Sequence, residues 1–169
     1  EHLMVFSGSQ ERVVRDFFKE AEFHFPFYKP KEIDENKVSE IILVDTQTTT
    51  RIGKFNKVAG NGGTVTKIYD HHVPASSSYP HAKKVIKKRG SCTTVLVEEL
   101  FKENISISKE EADIFLLGIF QDTGNFTYAT TGPEDLGITA ELIKLGGNPN
   151  EIRIYLKDEF TEEEYQLIN

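Results

Sequence analysis

Ile41-Ile42-Leu43-Val44 is an unbroken β-branched and aliphatic run that stops abruptly at Asp45. Continuous apolar strands of this kind belong in parallel sheets covered on both faces. Thr64 to Tyr69 predicts a second such strand, preceded by the Gly60-Asn61-Gly62-Gly63 turn and closed by Asp70. Leu3 to Phe6 is a shorter apolar run ended by Ser7-Gly8-Ser9. Elsewhere the apolar period changes to that of a helix. Val13, Val14, Phe17 and Phe18 make one face, with Ser9 as cap and Glu11 in the first turn. Residues 23–40 are aromatic, then charged, and read as a connector with one short helical turn. Gly90-Ser91 opens a helix through Leu100, and Ser108 with Glu110-Glu111 caps the next, whose face carries Ala112, Phe115, Leu116, Ile119 and Phe120. That helix closes at Asp122-Thr123-Gly124. Another starts at Pro133, where a first-turn proline is welcome, runs to Leu145 and stops at Gly146-Gly147. Asn150 to Asn169 reads as one or two more helices, with Thr161 as a cap.

Strands alternating with helices predict an α/β domain with an open, mainly parallel sheet and helices on both faces. In such sheets ligands collect beyond the carboxyl ends of the strands.

The chain has 169 residues, the length of one ordinary domain, with 38% hydrophobic and 28% charged residues. No run approaches the roughly 18 consecutive apolar residues of a membrane span. Glu1-His2-Leu3-Met4 is not the start of a signal peptide, and a single cysteine, Cys92, fits a reducing cytoplasm, the expected location. A net charge of −7 counts against general duplex binding, which needs clustered Lys and Arg. It leaves a small anionic substrate open, because bound divalent cations reverse the local potential. The chain opens without an initiator methionine and inside an apolar run, so it reads as a piece of a longer polypeptide.

Three segments put metal-compatible side chains at the ends of apolar elements: Asp45, Asp70-His71-His72 and Asp122. The first two would face one crevice of a parallel sheet, and the third joins them if its helix packs back. Mixed imidazole and carboxylate donors suit Mn²⁺, Fe²⁺, Co²⁺ or Zn²⁺, whereas Mg²⁺ prefers oxygen alone. Two such ions can clamp the attacking and leaving oxygens of a phosphoryl displacement. One of two adjacent histidines would ligate and the other bond a phosphate oxygen, since neighbouring strand side chains diverge. Taken singly, each piece has a plainer reading as a turn-former, a surface pair or a helix end. The joint pattern is what favours a site.

Asp70-His71-His72 resembles the tripeptide that names the DHH phosphoesterase superfamily. Leu43-Val44-Asp45-Thr46 looks like its second motif, and Gly90-Ser91-Cys92-Thr93-Thr94 like the motif opening the following helix. Leu116 through Gly124 resembles the fourth, and the resemblance covers about residues 3–157. It implies a Rossmann-like fold and a metal-dependent phosphoester or phosphoanhydride hydrolase using two divalent cations, Mn²⁺ favoured over Mg²⁺ or Co²⁺. Asp45, His71 and Asp122 would be metal ligands, His72 would contact the scissile phosphate, and Asp70 would orient a histidine. Ser91, Thr93 and Thr94 would meet the substrate at a helix N-terminus, against the plainer reading of capping. The substrate would be a nucleotide, short oligonucleotide or polyphosphate, attacked by water rather than by a side chain. The run Val5 to Glu11 looks most like the subgroup fused to CBS domains and a tRNA nucleotidyltransferase or poly(A) polymerase-like module. Single-stranded RNA or tRNA would then be reached through fused domains, and a homodimer is compatible with the pattern.

The family's first motif, a His followed four and six residues later by two Asp, is absent: Phe6 and Gly8 stand at those spacings from His2. The family's C-terminal substrate-binding domain has no counterpart either. Residues 1–157 therefore read as a partial DHH domain and 158–169 as a helical tail or linker. The alternative is a non-catalytic nucleotide-binding module of an RNA nucleotidyltransferase. A dinucleotide-binding oxidoreductase finds no support, because no G-x-G-x-x-G follows a strand. Lys83, Lys84, Lys87, Lys88 and Arg89 read better as a solvated edge than as a funnel for anions. Phe126, Tyr128 and Thr130 read as loop anchors, and Cys92 as a packing residue.

Overall fold

The computed structural model of the chain describes residues 2–8, 14, 15, 19, 27–74 and 79–156. Among them a three-stranded sheet runs in the order β3 (Glu40–Val44), β4 (Val65–Asp70) and β5 (Lys83–Ile86), all parallel. A separate parallel pair joins β1 (Met4–Val5) to β2 (Phe27–Tyr28). The architecture is α/β with a parallel sheet. Most of the helix expected around Val13–Phe18 lies outside the described residues, as does the tail from 157 onward; Val14, Arg15 and Lys19 are helical.

The β3–β4 register sets Val44 opposite Tyr69, so both strands finish at one rim. Alternate residues face the core. Leu43 and Ile68 are buried there with Ile52, Ala59 and Tyr79, while Ile42 and Val44 on the other face stay about half exposed, at 50% and 47%. Coverage of that face is therefore thinner than an all-apolar strand predicts. A short helix that the sequence pattern did not reveal, α1 (Phe55–Gly60), bridges the strands, and its Ala59 carbonyl accepts from the Thr66 hydroxyl at 3.0 Å. The basic segment forms β5. Lysine-rich edges discourage further strand pairing, which is why Lys83-Lys84-Val85-Ile86 lacks a clean strand alternation.

The second core is helical and comprises α2 (Cys92–Lys102), α3 (Lys109–Thr123), α4 (Pro133–Lys144) and α5 (Pro149–Ile152). Val97, Leu116, Ile119, Leu142 and Ile152 are at most 1% exposed within it, each contributing roughly 1.5–3 kcal/mol by burial. The helix ends follow the expected chemistry. Ser108 and Glu111 form a capping box on α3, Pro133 starts α4, and Gly146 turns the chain at φ +105°. Helices α2 and α3 approach so closely at Gly118 that a methyl group there would sit 2.5 Å from the Thr93 hydroxyl oxygen. Among the described residues no helix is long and apolar enough to cross a membrane.

Candidate metal centre

The site begins with the backbone at the end of β3. Asp45 donates its N–H to the Tyr69 carbonyl at 3.0 Å, adding one rung to the β3–β4 ladder. It then takes φ +58°, a left-handed turn that Asp tolerates better than most residues. At the end of β4 the Asp70 carboxylate is buried, and a single oxygen, Oδ1, gathers three nitrogens. The backbone N–H groups of His71 and His72 donate to it at 2.7 and 3.0 Å, and His72 Nδ1 lies 2.7 Å away. These bonds bend the chain as soon as the strand ends. The two imidazoles therefore do not diverge as neighbouring strand residues would. Their centroids are 4.2 Å apart.

The result is a compact donor set. His71 Nε2 lies 3.3 Å and His72 Nδ1 3.5 Å from Asp45 Oδ1. One donor atom from each of Asp45, Asp70, His71 and His72 falls within 4.8 Å of the others. His71 Nδ1 faces the Arg89 carbonyl at 3.1 Å, and because a carbonyl only accepts, Nδ1 carries the proton and Nε2 turns to the cluster. The bond to Asp45, against the cost of burial and helped by the Arg89 carbonyl and the Asp122 charge, pushes the His71 pKa up to about 9. Burial works against ionisation of Asp70, but its bonds from His72 and His71 outweigh it and hold the carboxyl below its ordinary value. Two carboxylates and two imidazoles at this spacing are a donor set that fits a divalent transition metal.

Asp122 stands at the edge of this group. Its Oδ2 accepts the Cys92 N–H at 3.3 Å, and burial together with the nearby Asp45 charge raises its pKa. A cation between Asp45 and Asp122 would relieve that repulsion. Asp122 is not one of the four donors within 4.8 Å.

Ser91 and Thr94 are fully buried, and their hydroxyls are committed inward. Ser91 Oγ accepts the Thr94 N–H at 2.9 Å, and Thr94 Oγ1 donates to Asp135 Oδ1 at 2.6 Å. That leaves Ser91 to donate to Thr94 across their 2.9 Å contact. These are the bonds of a cap. Thr93 packs over Gly118. The Cys92 thiol is pushed up to about 12 by burial, with the Asp45 charge adding to it, so it stays protonated and inert. Lys87 and Arg89 are engaged by Glu98, with Lys87 Nζ and Arg89 Nε at 2.6 and 2.7 Å from its carboxylate oxygens, which suits the edge reading of this segment. Phe126 stacks edge-on to Phe120 with centroids 4.9 Å apart and anchors its loop, whereas Tyr128 is 58% exposed.

Three residues near the site carry no local signature. Gln47 is buried, and its side-chain amide donates to the His72 and Val73 carbonyls at 3.2 and 3.3 Å, tying the loop after β3 to the loop after β4. Asp135 accepts from Gly90 and Gly132 N–H groups, both at 2.8 Å. Arg51 lines the cavity beside Asp45 and His72. Only the density of Thr and Arg after Asp45 could have pointed to the last of these.

The profile of the DHH family's N-terminal domain matches residues 5–119. The chain belongs to the DHH family. It is 39% identical over 168 residues to the A-adding tRNA nucleotidyltransferase of Geobacter sulfurreducens, a match covering 99% of this chain and 19% of that protein. It is 30% identical over 128 residues to the probable manganese-dependent inorganic pyrophosphatase of Archaeoglobus fulgidus, covering 73% of this chain and 37% of that one. The DHH fold is seen in the crystal structure of an exopolyphosphatase-related protein from Bacteroides fragilis, which superposes with a TM-score of 0.78 at 17% identity over 98% of this chain and 50% of that one. The chain thus spans about a fifth of the length of the nucleotidyltransferase and half of the solved structure. The likeness to a tRNA nucleotidyltransferase agrees with the subgroup that the run Val5 to Glu11 resembles.

Proposed function

We propose that this chain is the metal-binding part of a phosphoester or phosphoanhydride hydrolase acting on nucleotide, short oligonucleotide or polyphosphate substrates. The observation that carries this reading is the donor set Asp45, Asp70, His71 and His72, closed to within 4.8 Å at the ends of adjacent parallel strands. Asp45 and His71 would hold the cation, with Asp122 joining from α3, and Mn²⁺ suits the imidazole–carboxylate mixture better than Mg²⁺. Bound divalent cations would supply Lewis-acid polarisation of a phosphoryl oxygen and a water acidic enough to attack near neutral pH. The chain's own residues do the positioning. The Arg89 carbonyl fixes the His71 tautomer, and Asp70 fixes the His72 ring through Nδ1. His72, with its side chain 55% exposed, keeps Nε2 for a substrate oxygen.

By itself this chain is expected to hold one ion weakly and to hydrolyse little, because the resemblance assigns further ligands to a first motif that these residues lack. Mn²⁺ titration monitored by the electron paramagnetic resonance of the free ion tests the centre. Asp45→Asn is expected to abolish uptake, and unchanged uptake would refute the assignment. Hydrolysis of pyrophosphate or bis-(p-nitrophenyl) phosphate by these residues at full family-like rates would overturn that expectation.

A second reading has its own support in the 39% identity to an A-adding tRNA nucleotidyltransferase: a nucleotide-binding module that serves an attached RNA-modifying enzyme without cleaving. Hydrolysis by the longer polypeptide, lost on Asp45→Asn, favours the enzyme. Nucleotide binding without turnover favours the module.

A further inference from the structure

The cavity beside the donor set has lining residues that the metal chemistry leaves unexplained. It measures about 200 Å³, ample for a tetrahedral oxyanion, and Asp45, Asp70 and His72 line it. Thr46, Thr48 and Arg51 line it as well. The hydroxyls of Thr46 and Thr48 are buried and have no hydrogen-bond partner among the described residues. Leaving such a group unpaired costs roughly 1–3 kcal/mol, and folded proteins keep few of them without a ligand, ion or water to account for them. Here two lie in one loop, just beneath the surface of a cavity that their residues line.

Arg51 completes the pattern. In a chain with seven more acidic than basic residues, it has no ion-pair partner among the described residues. Its backbone is anchored, because the Ser7 hydroxyl donates to the Arg51 carbonyl at 2.7 Å. Gln47 holds the same loop rigidly against the segment after the histidines through its bonds to the His72 and Val73 carbonyls. An exposed guanidinium on an anchored backbone, with two unpaired hydroxyls in the same loop, matches the oxygens of a phosphoryl group, since Arg offers paired N–H donors and hydroxyls rotate to suit.

We propose that residues 46–51 form a phosphate-binding wall, in which Arg51 and, after a small local shift, the hydroxyls of Thr46 and Thr48 hold the oxygens of a phosphoryl group beside the donor set. The wall deepens the hydrolase reading and rests on it for the identity of the site. It places the positive counterpart of an anionic substrate in the same cavity as Asp45 and Asp70, where their charges would otherwise repel it.

The test titrates inorganic phosphate into the Mn²⁺-loaded chain by calorimetry, for the wild type, Arg51→Met, Arg51→Lys and the pair Thr46→Val with Thr48→Val. Mn²⁺ uptake by each is read separately from the free-ion resonance. Arg51→Met is expected to weaken phosphate binding about ten- to hundred-fold with Mn²⁺ uptake unchanged, and Arg51→Lys to lose less, because a point charge replaces a fork. The valine pair is expected to weaken it several-fold. Should the valine pair fail to fold, the exposed Arg51 variants decide alone. Equal phosphate affinity in wild type and Arg51→Met, or no phosphate binding by the wild type, overturns the wall while leaving the metal assignment standing. Absence of Mn²⁺ uptake by the wild type sinks the metal assignment instead. The wall is then judged without metal from the Arg51 Nε–Hε resonance: phosphate-induced shifts support it, and their absence overturns it.

Discussion

The buried carboxylate of Asp135 accepts the Gly90 N–H at 2.8 Å across 45 positions of sequence, and Gly90 has no room for a side chain because a methyl group would lie 2.7 Å from that same oxygen. The contact locks the turn that presents the Arg89 carbonyl to His71. Asp135 also satisfies Gly132 N–H and the Thr94 hydroxyl, so it ties the starts of α2 and α4 together.

Asp135→Ala strands two buried donors and a half-buried one, at roughly 1–3 kcal/mol for each buried group. It is expected to destabilise the chain by about 3–5 kcal/mol in urea denaturation. Asp135→Asn is expected to cost much less, because the amide oxygen can take the two N–H groups while its NH₂ donates to Thr94, with the Ser91–Thr94 hydroxyl pair reversing direction. Equal losses in the two variants would show that this network does not hold the turn.

Acid should loosen the edge of the sheet through Glu98. Burial disfavours its charge, but the bonds from Lys87 and Arg89 prevail and hold its pKa below the ordinary value of 4.5. A carboxyl depressed in the folded state stabilises above its unfolded pKa, and that stabilisation is lost as pH falls through the folded value. Thermal melts from pH 7 down to pH 3 should therefore show Glu98→Gln markedly less stable than wild type at neutral pH. The gap should close at the acid end. A constant gap would show that proton linkage at Glu98 is absent.

Metal uptake should release protons. In the metal-free chain His71 has its pKa pushed up to about 9, chiefly by Asp45, so it is protonated at neutral pH, and a cation can occupy Nε2 only once that proton leaves. Calorimetric heats for Mn²⁺ measured at pH 7 in two buffers of different ionisation enthalpy should differ by close to one proton per ion. Affinity should rise up to about pH 9. Identical heats in both buffers would exclude His71 as a ligand.

At Gly118 the prediction concerns packing. Gly118→Ala brings a methyl group to 2.5 Å from the Thr93 oxygen, which should cost about 1–3 kcal/mol, the range for overpacking. Adding Thr93→Ala should recover most of the loss. Additive losses in the double variant would show that the two side chains do not meet.

The donor cluster is legible in the sequence because its members sit at element ends that local pattern can find, Asp45 after an aliphatic strand and Asp70-His71-His72 after another, with Asp122 near the end of a capped helix at the cluster's edge. The helices α2, α3 and α4 were legible for the same reason, since Ser91, Ser108 and Pro133 act within their own first turns. What stayed hidden depends on distance. Asp135 reads as one more acid in a helix start until Gly90 is folded onto it, and Gln47 as one more polar loop residue until it meets the His72 carbonyl. Strand geometry predicts side-by-side histidines that diverge, and it does not anticipate the bend made when a side chain, Asp70, captures their N–H groups. Lys83–Ile86 carries no strand signature because an edge strand needs no buried alternation to pair with its neighbour.

Asp45 serves both as the final rung between β3 and β4 and as a donor in the cluster. Zipping that pair of strands to its end and assembling the proposed cation cage are consequently one event. A chain caught with those strands frayed would be blind to the proposed cation, and an ion already seated would act as a clasp that keeps them closed.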